Sequence, residues 1–361
     1  MLKHVITAAT FAAATFAATT LPTSFAHAQA KSDVVLKVGN YGGRFTETQK
    51  KYAADLFTQH TGVKVEFIDA NPLDHVSKLV AAKGRNVPYD VVYIDGDLQP
   101  TAIEAGILDK LDPSIVTNLD RLYDEAKNPD GYGPVQIFYS FGILYNEDKF
   151  KEAGIPAPTS WEDLWDPRLA GKVAVGELGH GAGRALLIQA ERLAGGDVTT
   201  PEKGINKIAD LKAHSYFSST VQLEALFPPG DVWAAPIASG RGWGLIDKGY
   251  PLKFVLPKEG GVAATTTIEV VKGTKHPREA NLFINYVLDP VAQVGQAWEI
   301  PYGPSNKVVA PVVEAYPELA KKLPGNAEQI RALYKPDWKA YWDRHEDAVE
   351  LWQRNVIGKK Q

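Results

Sequence analysis

The sequence predicts two α/β domains, and three observations carry that prediction. Residues 34–94 alternate strand and helix patterns in the order βαβαβ. A second βα unit follows a Pro-rich approach at Pro156-Ala157-Pro158. An apolar run, Leu252–Leu256, then turns through Pro257-Lys258-Glu259-Gly260-Gly261 toward a strand at Thr267–Val271. Alternation of this kind builds parallel sheet covered by helices, and it puts binding loops at the carboxyl ends of the strands.

Element by element, residues 1–28 read as a leader rather than as part of the fold. Lys3 and His4 give a short charged start, Ile6–Ala18 is apolar and small with several Thr, and Ala26-His27-Ala28 fits a cleavage site. The stretch is too short and too Thr-rich for a membrane span. Val34–Val38 is the first strand, and Asn40-Tyr41-Gly42-Gly43 is a turn into a helix ending near Thr61-Gly62. Val63–Ile68 alternates as a strand, Leu73–Ala82 is helical, and Tyr89–Ile94 is a buried strand. The loops at Asn40–Arg44 and Asp95–Asp97 therefore stand at strand carboxyl ends. Val135–Tyr145 is a long β-rich run, with a short helix at Glu147–Ala153. Ser160 and Asp163 are spaced as a capping box. Lys172–Val175 opens the second unit, whose Gly-rich turn Gly176–Gly183 feeds a helix at Arg184–Leu193. Helices follow at Pro277–Leu288 and Pro290–Ala297, and Trp338–Val356 is a long amphipathic segment.

Composition removes several classes of function. The net charge is −4, or −5 once Lys3 leaves with the leader, which argues against a nucleic-acid partner. With no Cys, disulfides, thiol catalysis and thiolate metal sites are all absent. An exported chain of about 330 residues then relies on core size for stability. Eight Trp and fifteen Tyr exceed the needs of packing and suit a small-molecule cleft. No Gly-x-Ser-x-Gly elbow, His-Glu-x-x-His, Walker loop or thiol nucleophile is present, so the chain does not read as an enzyme.

Several motifs occur in a telling order: Tyr41-Gly42-Gly43, Phe138–Asn146, Pro158–Leu164, Gly171-Lys172-Val173, Pro257–Gly261, Ala280–Asn285 and Tyr302–Asn306. Together they resemble the spermidine/putrescine-type branch of extracellular solute-binding proteins, over nearly the whole mature chain. The resemblance implies a bilobed, type II periplasmic binding protein fold, with two α/β domains of mixed sheet joined by a two-segment hinge. Residues 29–140 and 262–320 form the first domain, 141–261 the second, and 321–361 are C-terminal helices bracing the lobes. It further implies periplasmic capture of a small polar organic solute, amine-containing, polyamine-like or zwitterionic. Delivery goes to the permease of an ABC importer in the inner membrane, by a monomer that needs no cofactor. Taken alone, Pro257–Gly261 is either such a domain crossover or an ordinary surface hairpin.

The candidate site follows from the same positions. Gly42 and Gly43 open a helix N-terminus suited to an anion, with Tyr41 beside them. Asp95 ends a buried strand and points to the cleft; Asp97 either joins it or caps the next helix. Tyr139, in the first crossover, stacks on a ligand or fills the hinge. Glu177 is carried over as the acidic contact of the second domain, and His180 departs from that acidic pattern. Arg241 lies between two glycines, where the family presents an aromatic residue nearby and this chain has Ala238; its fork suits a carboxylate or phosphonate. Tyr302 reaches the cleft from the first domain. Ala264 and Thr266 stand where polyamine binders supply a ring and a carboxylate, leaving Thr265 and Thr266 only hydroxyls. Two ligand readings stay open, an organic amine and a zwitterion or acid, with the zwitterion somewhat better served. Ferric iron on tyrosines and sugar on Trp233 or Trp243 are the remaining alternatives; the chain has no Tyr-Tyr pair.

Overall fold

The computed structural model describes residues 32–323, 330–331 and 333–358. The leader assigned to residues 1–28 lies outside the described residues, as do residues 324–329, 332 and 359–361 of the C-terminal segment. No helix among the described residues is long and apolar enough to cross a membrane.

Strands β1 (Val35–Asn40), β2 (Lys64–Asp69) and β3 (Val91–Asp95) pair in parallel, in the spatial order β2-β1-β3. Crossover helices between them explain the direction: a parallel pair needs a long connection. β4 (Leu108–Asp109) is a short edge piece. β5 (Val135–Asn146) is the longest strand, and buried along almost its whole length. Its Val135–Phe141 half pairs with β10 (Val262–Val271), which joins it to β3. Its Phe141–Asn146 half pairs with β8 (Ala234–Ala238) and β9 (Leu252–Val255). A parallel bridge from Val173 to Ala234 then links β8 to β6 (Ala174–Gly176), which pairs with β7 (Ser215–Phe217). β11 (Gly303–Pro304) lies on the other edge of β5 at Ile137 and Phe138. The mixed sheet is thus continuous through β5, with one lobe at each end.

The Pro257–Gly261 stretch is neither a hairpin nor a free surface turn. β9 and β10 do not pair with each other; both pair with β5, one after the other, and Leu256–Gly261 loops out between them. Gly142 of β5 faces that excursion, where a Cβ would stand 2.5 Å from the Val255 carbonyl oxygen. The loop is pinned by its own acid. Glu259 accepts from Ser160 Oγ at 2.5 Å and from the Trp161 N–H at 3.1 Å. The Ser160–Asp163 capping box forms as its spacing predicts.

Some element limits move. The strand expected at Thr267–Val271 begins at Val262, because Val262–Thr266 is held by β5. The helix expected from Arg184 begins at Gly181, because His180 caps it. The C-terminal segment breaks at Arg344 into Trp338–Asp343 and His345–Trp352, followed by a π turn at Gln353–Ile357. Its Tyr341, Ala348, Trp352 and Val356 are buried in the second lobe. Tyr334 reaches the crossing strands instead, accepting from the Ala263 N–H at 2.7 Å.

Candidate functional site

A cavity of about 370 Å³ opens between the lobes at the carboxyl ends of β1 and β3. From the first lobe, Gly42 and Gly43 hold φ of 87° and 57°, so the turn after β1 needs glycine. The helix that follows runs from Arg44 to Thr61, through a π turn at Lys50–Ala54. No side chain caps it at Gly43, and this uncapped start lies on the cavity wall. Beside it Tyr41 donates to Asp95 Oδ1 at 2.9 Å and shares a 3.2 Å contact with the Thr266 hydroxyl. Burial, then the Asp95 charge, hold the Tyr41 phenol well above its ordinary pKa, so it acts as a donor. Asp69 lines the same wall and accepts from Thr46 Oγ1 at 2.7 Å. Tyr139 and Tyr302 pack against each other with ring centroids 5.0 Å apart. Burial pushes Tyr302 up to about 12, although the Arg241 charge works against it.

The second lobe supplies the opposite wall. His180 Nδ1 accepts from the Ala182 N–H at 3.1 Å, which leaves its proton on Nε2, 3.0 Å from Thr220 Oγ1. Burial, then the Arg184 and Arg241 charges, lower its pKa to about 3, so it is neutral. His180 therefore caps a helix and orients Thr220 rather than carrying charge. Arg241 sits in the first turn of the Ser239–Asp247 helix, nine-tenths buried, with a 3.7 Å pairing to Glu224 and a hydrogen bond to the Tyr302 hydroxyl. Its Nη1 lies 3.9 Å from where a Cβ on Gly43 would stand. The guanidinium thus faces the uncapped helix end across the cavity.

Of the residues singled out in the sequence, Tyr41, Gly42, Gly43, Asp95, Tyr139, His180, Arg241, Thr266 and Tyr302 come together on this cavity. Thr265 and Ala264 instead line a smaller adjoining cavity of about 260 Å³. Thr265 also explains Gly96, since a Cβ there would collide with the Thr265 hydroxyl. Glu177 lines neither cavity and is exposed, its backbone bonded to Phe217 and His180. Asp97 does not cap the Gln99–Glu104 helix, which has no side-chain cap. It is drawn away by a residue that sequence reasoning missed.

That residue is Arg184, 1% exposed in the first turn of the Gly181–Leu193 helix. Its Nη2 donates to Asp95 Oδ2 at 2.7 Å, its Nε stands 2.9 Å from Asp97 Oδ2, and its Nη1 donates to the Gly179 carbonyl at 3.0 Å. Burial pushes the Asp97 carboxyl up to about 6, against the pull of Arg184. One signal pointed to it: residues 182–191 are apolar nearly all round, so the Arg and Glu among them must be buried and partnered or strained. Asp69 carried no signal of its own. Among the described residues, no cluster of three or more His, Asp or Glu could hold a metal ion.

Known proteins share this architecture. The profile described as bacterial extracellular solute-binding protein matches residues 51–321. The γ-aminobutyric acid-binding protein of Pseudomonas aeruginosa is 26% identical, covering 91% of this chain and 93% of that protein. The spermidine/putrescine-binding periplasmic protein 1 of Haemophilus influenzae is 25% identical, over 83% and 82%. A crystal structure of an ABC transporter protein from Clostridium perfringens is 27% identical, with a TM-score of 0.67 over 89% of this chain and 99% of that one. A cleft at the strand ends of two lobes threaded by one strand, together with a profile match over most of its length, shows that the chain belongs to the bacterial extracellular solute-binding proteins.

Proposed function

We propose that the cleft takes a small zwitterion, an anionic head and an amine separated by a short carbon chain, for an ABC importer. One observation carries the reading. Arg241 faces the uncapped Gly43 helix end within one cavity, while Asp95, the acid expected to hold an amine, is already paired with Arg184. A carboxylate or phosphonate head would sit between Arg241 and Gly42-Gly43. The amine would turn toward Asp69 and the faces of Tyr139 and Tyr302. The γ-aminobutyric acid-binding relative supports this chemistry. A polyamine is the second reading, supported by the spermidine/putrescine-binding relative; Ala264 and Thr266 provide neither ring nor carboxylate for it.

The remaining assignments belong to the same proposal. The leader and the family support export to the periplasm and action as a monomeric binder rather than an enzyme. The change of partners along β5 at Phe141 supports the division into 29–140 with 262–320 and 141–261, with 321–361 as a brace.

Calorimetric titration with γ-aminobutyrate, putrescine, spermidine and butyrate tests the ligand class. We expect γ-aminobutyrate to bind best, and Arg241→Ala to weaken it by ~100-fold, about 2.7 kcal/mol. Binding of spermidine alone would overturn the reading.

A further inference from the structure

We propose that Arg184 is the residue that sets the charge of the solute, acting as a built-in cation that fills the position where Asp95 and Asp97 would hold an ammonium group. The inference rests on the zwitterion reading of the same cleft and deepens it.

The geometry is that of an internal occupant. Asp95 and Asp97 leave the end of β3 in the first lobe, and Arg184 reaches them from the second. All three groups are almost withdrawn from water, with side-chain exposures of 13%, 6% and 2%. Two carboxylates this close and this buried need a cation. Arg184 provides it, held by the Gly179 carbonyl and by the Trp342 ring, 5.6 Å from the guanidinium carbon. The close approach of the lobes depends on Gly181. A Cβ there would stand 2.7 Å from the Phe141 ring and 3.7 Å from Arg184 Nη2.

Placement makes the pairing a matter of selectivity as well as of structure. Asp95, Tyr139, Phe141 and Gly181 form the wall shared by the two cavities, and Arg184 with Asp97 lines the smaller one. Without the guanidinium, two acids beside Tyr41 and Tyr139 would stand uncompensated at the wall between the two cavities. That is a site for a diamine: carboxylates to balance charge and ring faces to hold the carbon chain. With it, both acids are charge-paired, a second cation meets like charge, and among the described residues the larger cavity takes its cation from Arg241, whose ion pair with Glu224 is 3.7 Å long. One arginine thereby turns a potential amine site into one that favours solutes with an anionic end.

The test is titration of the full mature chain with putrescine and with γ-aminobutyrate, each variant first shown to be folded by its thermal transition. Wild type is expected to show no saturable putrescine binding. Arg184→Gln should gain it, tightening by about tenfold or more. Arg184→Lys keeps the charge and should continue to exclude putrescine. Since Arg184→Gln leaves two uncompensated acids and can fail to fold, Arg184→Gln with Asp97→Asn keeps one carboxylate opposite neutral amides. That double variant should fold and gain ethylamine or putrescine binding. If folded variants gain no amine while wild type binds γ-aminobutyrate, Arg184 does not set ligand charge, and the zwitterion reading survives alone. If they gain amine while wild type binds no zwitterion, the role of Arg184 stands and the zwitterion reading falls. Wild type binding putrescine as tightly as Arg184→Gln overturns the proposal.

Discussion

Glu191 is fully buried on the same helix as Arg184, yet neither of its oxygens has a hydrogen-bond partner. Burial first, then the charges of Asp197 and Glu202, push its pKa up to about 8. The folded protein therefore holds this proton more tightly than the unfolded chain, whose Glu titrates at about 4.3. The associated stability is complete below that pH and is lost as pH rises toward 8, at up to about 1.4 kcal/mol per unit. Glu191→Gln should raise the melting temperature at pH 8, leave it nearly unchanged at pH 4, and flatten the slope between. An unchanged slope would show that another group is responsible. Residue-scale legibility followed distance along the chain. Tyr41, Asp95 and Arg241 were readable because each ends or begins an element whose pattern is local. Arg184 was not, because its partner Asp95 lies 89 positions away and only the fold joins them. His180 shows a different failure: its position was read correctly, but whether it caps a helix or contacts a solute depends on where Ala182 and Thr220 sit.

At the scale of the element, the excursion at Leu256–Gly261 is tied down from several sides, and the Glu259 carboxylate accepts two of those bonds. Glu259→Ala removes the acceptor for Ser160 Oγ and the Trp161 N–H. It should destabilise the protein by about 1–3 kcal/mol in urea denaturation, with Glu259→Gln partly restoring it. A full-strength Ala variant would mean that the bonds from Trp161 Nε1 to the Gly260 carbonyl, from Arg192 Nη1 to the Glu259 carbonyl and from the Lys258 N–H to the Thr159 carbonyl suffice as anchors. The sequence showed the flanking β-rich runs and the Gly pair, so a bend there was legible. That the runs lie in line along one edge of β5 was not. Val262–Thr266 carries small residues and hydroxyls rather than an alternating apolar pattern, and its strand character comes from the backbone of β5. The N-terminal βαβαβ unit was read closely because its periodicities are strong and its partners are neighbours in sequence.

For the whole molecule, the C-terminal segment touches what would otherwise be separate regions. Tyr334 bonds to β10 and lies 4.0 Å under Arg192 of the second lobe, while Trp342 covers Arg184. A chain ending at Leu323 should lose thermal stability by several degrees or fail to fold, because it uncovers Arg184, Arg192 and the apolar face around Tyr341. A truncated protein melting like the full chain would show that the segment is a passenger. The two-lobed plan itself was visible in the order of motifs; the depth of their connection was not, since no local pattern reports that one strand serves both sides. β5 gives half its ladder to each lobe and changes partners at Phe141, which pairs with both Val262 and Ala238. Neither half can melt without stripping a central strand from the other. Heating should accordingly produce one cooperative transition, with calorimetric and van't Hoff enthalpies in agreement, where two domains on a simple tether would give two. Excising residues 141–261 as an independent unit should fail for the same reason.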